Sequence, residues 1–336
     1  MSKNYYIIPV FVPHEGCPHD CVFCNQDRIT GVKDKVTAET VYNILDEYLE
    51  TIDKSNATVE VSFFGGTFTG IREEKQRELL SVAKEYKEKG LVDKIRMSTR
   101  PDYINDYILA YLKEYKVDII ELGVQSLDDE VLIKAGRGHT AEDVYKASKL
   151  IKDYGITLGH QIMPGLPGDT FEKDRETVRK SIEMKPDICR LYPSLVIKDT
   201  PMELMYERGT YIPYTLDEAT EICMELYKMY TDAGINVIRI GLQPTDEIAE
   251  GKDVVAGPFH PAFRELVEGR LLADKIREAS ENKPCSLTIQ INPKDISKLY
   301  ANKKVYFNKL ITEGYKIKVL QKEDVIRGSI LIEKNK

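Results

Sequence analysis

A chain of 336 residues, 42% hydrophobic and 31% charged, suits one large folded domain with a small appendage. No apolar run reaches the roughly 20 residues that span a bilayer. The start, MSKNYYIIPVFVPHEG, lacks the apolar core and small-residue cleavage pattern of a signal peptide, so a cytoplasmic protein with no membrane partner is expected. The net charge of -7 divides unevenly: residues 275–336 hold 14 Lys/Arg against 7 Asp/Glu, leaving an acidic body and a basic tail. Such a tail is either a solvated lysine-rich face or the footprint of a polyanion.

Strand-like apolar or β-branched runs fall at about 5–12, 58–64, 93–99, 117–124, 156–163 and 187–196. Amphipathic stretches with helical spacing alternate with them at about 37–53, 71–89, 102–115, 140–154 and 170–184, and another follows at 215–233. Six βα units predict a parallel sheet with helices outside it, curled by right-handed crossovers into an open barrel. Residues 235–274 predict a closing strand and a connecting segment with the turn sequence AGPFHPAF. Residues 275–336 predict a strand at 286–291, a helical stretch at 294–312 and strands at 315–320 and 328–333. The expected fold class is thus α/β, a partial (β/α)6 barrel with a small C-terminal α/β appendage. The expected domains are a barrel over 1–245, a connecting segment over 246–274 and a small basic domain over 275–336.

Sites on such folds gather at the carboxyl ends of the strands, and the unusual residues lie there. CPHDCVFC follows the first strand, FFGGT ends the second, STRPD the third, GVQS the fourth and MPGLPG the fifth, while RLYPS lies late in the sixth. Three of the six cysteines, Cys17, Cys21 and Cys24, fall within eight residues, whereas Cys189, Cys223 and Cys285 are isolated. That is a metal-site distribution and not a disulfide framework. Three thiolates spaced C-x3-C-x2-C can hold a [4Fe–4S] cluster and leave one iron open, which suits a catalytic cluster. The competing reading is structural zinc with His14 or His19 as fourth ligand, but no second half of a zinc pair is evident.

The cysteine spacing, with aromatic Phe23 before the last thiol, resembles the radical S-adenosylmethionine (radical SAM) superfamily. The resemblance implies a [4Fe–4S] cluster on Cys17, Cys21 and Cys24, with the open iron chelated by S-adenosylmethionine. It also implies reductive cleavage to a 5′-deoxyadenosyl radical, and hence an electron donor such as flavodoxin or ferredoxin. It assigns Gly65, Gly66 and Thr67 to the amino group of the cofactor's methionine; many members carry Glu where Thr67 stands. GVQSLDDEVLIKAGRGHT resembles a segment of the oxygen-independent coproporphyrinogen oxidases, which implies Gln125 on the ribose and Arg137 on the methionine carboxylate. Gln161 is a weaker ribose candidate, because the oxidases have an acidic residue there. Ser98 and Arg100 are candidates for cofactor or substrate, and Tyr192 and His260 are the catalytic candidates. The bland readings are a packing aromatic for Tyr192 and a structural turn residue for His260.

FGGTF, TRPDYI, GRGHT, IMPGLPG and RLYPSLVIKDTPMELMYERGTYIPYT resemble the radical domain of the Elongator catalytic subunit, from about residue 10 to about 245. That implies modification of RNA, tRNA or rRNA. About 90 residues follow 245, fewer than that family's acetyltransferase domain needs, so acetyl-CoA chemistry is not expected. Lys294, Lys298, Lys303, Lys304 and Lys309 are candidate phosphate contacts. Tyr300, Tyr306 and Phe307 either stack on bases or form the appendage's core. Two other readings are a radical enzyme acting on a small molecule such as a tetrapyrrole, and a non-enzymatic iron–sulfur or zinc RNA-binding protein.

Overall fold

The computed structural model describes residues 4–12, 21–25, 35–242, 244, 248–249 and 251–335. Its main element is a seven-stranded, all-parallel sheet. The strands are β1 (Asn4–Val12), β2 (Ala57–Gly65), β3 (Lys94–Thr99), β4 (Ile119–Gln125), β5 (Thr157–Ile162), β6 (Ile188–Leu191) and β8 (Asn236–Ile240), in that spatial order. Helices α1 (Ala38–Thr51), α2 (Glu73–Glu88), α3 (Asp106–Glu114), α5 (Ala141–Asp153), α6 (Phe171–Glu183) and α8 (Leu216–Asp232) connect them. The sheet is curled into a half-barrel with these helices on its outer side. This is the predicted six βα units, with β8 as the expected closing strand.

The strands show why two faces form. Side chains alternate across a strand. Val59, Val61 and Phe63 of β2, and Ile120, Leu122 and Val124 of β4, are buried in the core shared with the helices. Their neighbours Phe64, Glu121, Gly123 and Gln125 line the concave side. The helices start where the sequence supplies a cap. Thr37 and Thr40 form a reciprocal capping box on α1, as do Thr140 and Asp143 on α5 and Thr215 and Glu218 on α8.

Three small elements escape the simple alternation: α4 (Asp129–Lys134), α7 (Pro201–Glu207) and an antiparallel pair of two short strands, β7 (Val196–Ile197) and β9 (Val254–Ala256). The connecting segment is the larger correction. Most of its second half is helix α9 (Phe263–Ala279), which runs through the expected boundary at 275. Phe263 and Val267 pack into the barrel core. Leu266, Leu272, Ala273 and Ile276 of the same helix pack into the C-terminal core with Leu287, Ile289, Ile291, Leu299 and Leu310. A helix that serves two cores has no break for composition to reveal.

The C-terminal unit is a three-stranded sheet of β10 (Ser286–Ile291), β11 (Lys316–Gln321) and β12 (Ile330–Lys334) in the order β11-β10-β12. Helices α10 (Ile296–Leu299) and α11 (Ala301–Thr312) replace the single helix expected over 294–312. Asn302, Lys303 and Lys304, near the start of α11, all have left-handed backbones, with φ of 47°, 53° and 67°.

Candidate active site

A cavity of about 700 Å³ opens at the carboxyl ends of the strands, within the range of small-molecule and cofactor sites. Its lining includes Cys21, Phe23, Cys24, Gly65, Gly66, Thr67, Ser98, Arg100, Gln125, Arg137, Gln161 and Tyr192. The structure therefore brings these sequence-predicted residues to one place. Cys17, His14 and His19 lie outside the described residues. His260 is not on the cavity wall: its Nδ1 accepts the Ala262 backbone N–H at 3.1 Å at the entry to α9, a structural duty. His260, a catalytic candidate by sequence, is thus placed in the turn before α9 and apart from the other candidates.

The loop that carries Cys21 and Cys24 is fixed by backbone bonds on both sides. Val22 N–H donates to Ala135 O at 3.0 Å, just past α4, and Met202 N–H of α7 donates to Val22 O at 2.8 Å. Phe23 is the apolar anchor, packed with Val131, Ala135, Leu166, Met202 and Tyr211. The two elements missed by the alternation, α4 and α7, are thus the clamp of the cysteine loop.

Gly65 is needed for a nearer reason than a ligand. Its φ is +113°, and a Cβ there would lie 2.2 Å from the carbonyl oxygen of Val12. The glycine lets β1 and β2 close up beneath the cavity mouth.

Arg137 is buried and reaches two groups. Nη2 donates to Gly123 O at 2.6 Å and Nη1 to Cys21 Sγ at 3.5 Å, while its buried Nε has no hydrogen-bond partner. Gln125 sits beside it with φ +66°, a left-handed conformation that costs a non-glycine residue about 1–2 kcal/mol. Its backbone oxygen accepts from Met163 N–H at 2.9 Å, and its buried amide oxygen has no partner. A strained backbone that presents an unpartnered amide to a cavity is a pattern of ligand sites. His139 supports the same wall, its Nε2 against Val124 O at 3.2 Å. Burial, with the charges of Arg137 and Arg100, drives its pKa down to about 3, so the ring is neutral. Arg100 forms a two-pronged pair with Asp102 at 2.9 and 2.8 Å.

The concave wall carries a second constellation that sequence reading passed over. Arg96 pairs with Glu60 at 2.8 Å and with Glu121 at 3.4 Å. Arg190 pairs with Glu121 at 2.7 Å and donates to the Tyr192 hydroxyl at 2.9 Å. Tyr5 donates to Glu60 from the rim. Burial alone would lower the Arg190 pKa, but Glu121 and Tyr192 outweigh it and raise the pKa above the usual value. Gly159 makes room for this chain: a Cβ there would meet Glu121 Cγ at 2.7 Å. The signal was present, since TVEVSFF, IRMS, IIELGV and ICRLY each hold one charge inside a mostly apolar strand.

In the C-terminal unit the structure separates the RNA-contact candidates. Lys298 is tied to Glu268 at 2.9 Å and to Asp295 at 3.2 Å. Tyr306 is core, and Tyr300 and Phe307, which pack edge to face at 5.1 Å, are partly buried against that core, the packing alternative of the sequence reading. Lys303, Lys304 and Lys309 are exposed.

A half-barrel with two cysteines and an unpartnered amide at its mouth defines a class before any comparison. Residues 11–180 match the radical SAM superfamily and residues 186–273 the radical SAM C-terminal domain. The chain belongs to the radical SAM superfamily. It is 29% identical over 64% of its length to a tRNA uridine(34) acetyltransferase of Methanocaldococcus jannaschii, covering 47% of that protein. It is 31% identical over 66% of its length to the Elongator complex protein 3 of Bos taurus, covering 48% of it. The chain thus spans about half the length of these curated relatives. Among solved structures, the archaeal Methanocaldococcus infernus Elp3 with an N-terminal deletion superposes with a TM-score of 0.62 at 22% identity, over 84% of this chain and 65% of that one. That likeness speaks for the fold.

The protein is therefore a radical SAM enzyme, and its cofactors are a [4Fe–4S] cluster and S-adenosylmethionine. The residues present fit them: two thiol side chains and the unpartnered Gln125 amide and Arg137 Nε face one cavity. The non-enzymatic reading falls with the family assignment. No helix among the described residues is long and apolar enough to cross a membrane.

Proposed function

We propose that this enzyme modifies RNA, with tRNA as the first candidate. The observation that carries the reading is the match of the barrel to proteins named tRNA uridine(34) acetyltransferase and Elongator complex protein 3. Exposed Lys303, Lys304 and Lys309 on the appended unit supply positive charge for phosphates. In this reading Cys17, Cys21 and Cys24 hold the cluster. Gly65, Gly66 and Thr67 receive the amino group of the cofactor, Arg137 its carboxylate, and Gln125 with Gln161 its ribose. Ser98 and Arg100 support the adjoining wall. Tyr192, held by Arg190, faces substrate. When bound, the cluster and cofactor supply a 5′-deoxyadenosyl radical that takes hydrogen from substrate. The protein's own part is to position the two partners, exclude water and hold the charged wall fixed. A flavodoxin or ferredoxin supplies the electron, in the cytoplasm.

The test is anaerobic reconstitution with iron and sulfide, then incubation with S-adenosylmethionine, dithionite and total cellular RNA. Deoxyadenosine release that rises when RNA is added, and falls again after ribonuclease treatment, is the expected result. Release indifferent to RNA, with decarboxylation of a coproporphyrinogen under the same conditions, would move the enzyme to the small-molecule reading.

A further inference from the structure

The concave wall holds an unbalanced set of charges. Away from Arg137 and the Arg100–Asp102 pair, its carboxylates are Glu60 and Glu121 and its guanidinium groups are Arg96, Arg190 and Arg239. The first four residues pair with one another, and Arg239 is left over. It stands on β8 as the register partner of Arg190 on β6, and both line the cavity. Arg239 makes no ion pair with any described residue. Arg264, the other arginine close to it, is already engaged with Glu268 at 2.9 Å.

An arginine keeps its proton throughout the range in which proteins work. A guanidinium without a counter-charge is therefore costly where water is scarce. Burial, together with the charges of Arg190 and Arg264, pulls the Arg239 pKa below its usual value, and only the Tyr192 hydroxyl opposes this. The cavity that it lines also has apolar and aromatic walls, among them Ile7, Phe11, Phe64 and Leu242. Arg190 cannot turn away to relieve the repulsion. Its Nε is held by Glu121, its Nη1 by Tyr192, and its guanidinium carbon lies 5.3 Å from the Phe64 ring centroid. At the β6–β8 end of the wall the arrangement is thus one guanidinium more than the carboxylates Glu60 and Glu121 can answer.

We propose that Arg239, with Arg190 beside it, is an oxyanion subsite that holds a phosphate or carboxylate group of the substrate against the β6–β8 wall. The two-donor fork of arginine suits either anion. The subsite is separate from Arg137, which is assigned to the cofactor's carboxylate. It rests on the reading of this cavity as the place where substrate meets the cofactor. It would orient the substrate by a charged group and leave the reacting carbon free to approach the cysteine loop.

The test uses the anaerobically reconstituted enzyme saturated with S-adenosylmethionine. Inorganic phosphate and acetate are titrated separately, with the rise in unfolding temperature as the readout. The wild type is expected to bind at least one of them, and R239Q to bind it about ten-fold or more weakly, the loss of one charge-assisted pair. R239K, which keeps the charge but not the fork, is expected to fall between them. Phosphate binding tighter than acetate points to a nucleotide phosphate; the reverse order points to a carboxylate-bearing substrate.

If neither anion binds the wild type, or R239Q binds both as the wild type does, the subsite is wrong. It is also wrong if R239Q loses S-adenosylmethionine affinity while the anions bind unchanged, because Arg239 then serves the cofactor. Should R239Q fail to fold, R239K decides alone: anion affinity equal to that of the wild type in both titrations overturns the proposal, and a weakened one supports it. RNA-stimulated deoxyadenosine release is measured in parallel. Its absence alongside Arg239-dependent anion binding removes the RNA reading and leaves the subsite standing.

Discussion

Arg137 closes over Gly123, donating through Nη2 to its carbonyl oxygen at 2.6 Å. The contact exists because residue 123 has no side chain. A Cβ there would lie 2.7 Å from that same nitrogen and 3.1 Å from the Gln125 amide nitrogen. Both are ends of flexible side chains, so G123A should fold, with a stability loss within about 1 kcal/mol. It should displace both assigned cofactor contacts at once. S-adenosylmethionine affinity of the reconstituted enzyme, followed by equilibrium dialysis, is expected to fall about ten-fold or more, equivalent to about 1.4 kcal/mol. Unchanged affinity would separate Arg137 and Gln125 from the cofactor.

The chain Glu60–Arg96–Glu121–Arg190 makes a different prediction, one about stability. Glu121 is almost fully buried and answers two arginines, at 3.4 and 2.7 Å. Removing one member of a buried charged pair costs about 3–5 kcal/mol, because the partner is stranded. E121Q keeps the shape and loses the charge, so urea unfolding should show a loss at the lower end of that range. The double variant E121Q/R190Q should cost less than the two single changes added together. Strict additivity would mean that the pair is not coupled in solution.

How much of this could be read from the chain follows from what each feature depends on. The barrel was legible because apolar periodicity is local. The cavity residues were legible because GGT and GVQS stand at strand ends and GRGH follows within the same loop region after β4. The clamp on the cysteine loop was not, since it depends on Val22 meeting Ala135 and Met202 across the fold. Arg239 was not, because its meaning lies in a missing partner, and absence is visible only once the other charges have paired. The boundary at 275 failed because α9 presents Phe263 and Val267 to one core and Leu272 and Ile276 to the other. The aromatic residues of the appendage could not be assigned from sequence, because stacking on bases and filling a core require the same residue types; the structure packs Tyr300, Tyr306 and Phe307 with the appendage core.

Two buried histidines tie stability to pH on the acid side. His160 is fully buried between Ser148 at 3.0 Å and Ser181 at 2.8 Å, and burial lowers its pKa to about 3, with Lys152 adding to the effect. His139 is likewise lowered to about 3, mainly by burial. An unfolded histidine titrates near 6.5. Between about pH 6.5 and pH 3 the unfolded chain therefore binds protons that the folded one refuses. The stabilisation is complete above 6.5 and drains away as pH falls through that window, at up to about 1.4 kcal/mol per pH unit for each ring. H160Q should unfold with a shallower loss of stability between pH 7 and 5 than the wild type. Equal slopes, measured by urea denaturation at each pH, would show that His160 does not remain neutral.

The last prediction separates lysines that the sequence could not tell apart. Lys298 has two carboxylate partners, whereas Lys303 and Lys304 are exposed on a left-handed stretch, with φ of 53° and 67°. The left-handed backbone costs about 1–2 kcal/mol per residue, so the projection of these two lysines is held against a local preference. If RNA meets this surface, each phosphate contact contributes about 0.7–0.9 to the slope of log affinity against log salt. K303E/K304E should weaken tRNA binding at low salt and flatten that slope by between one and two. K298A should act differently, lowering the unfolding temperature modestly, because Glu268 and Asp295 each lose one of two cationic partners and keep Arg264 and Arg327, while the salt slope stays in place. Fluorescence titration of labelled tRNA at several salt concentrations distinguishes the two. A slope that responds to Lys298 and not to Lys303 and Lys304 would move the RNA face off this turn.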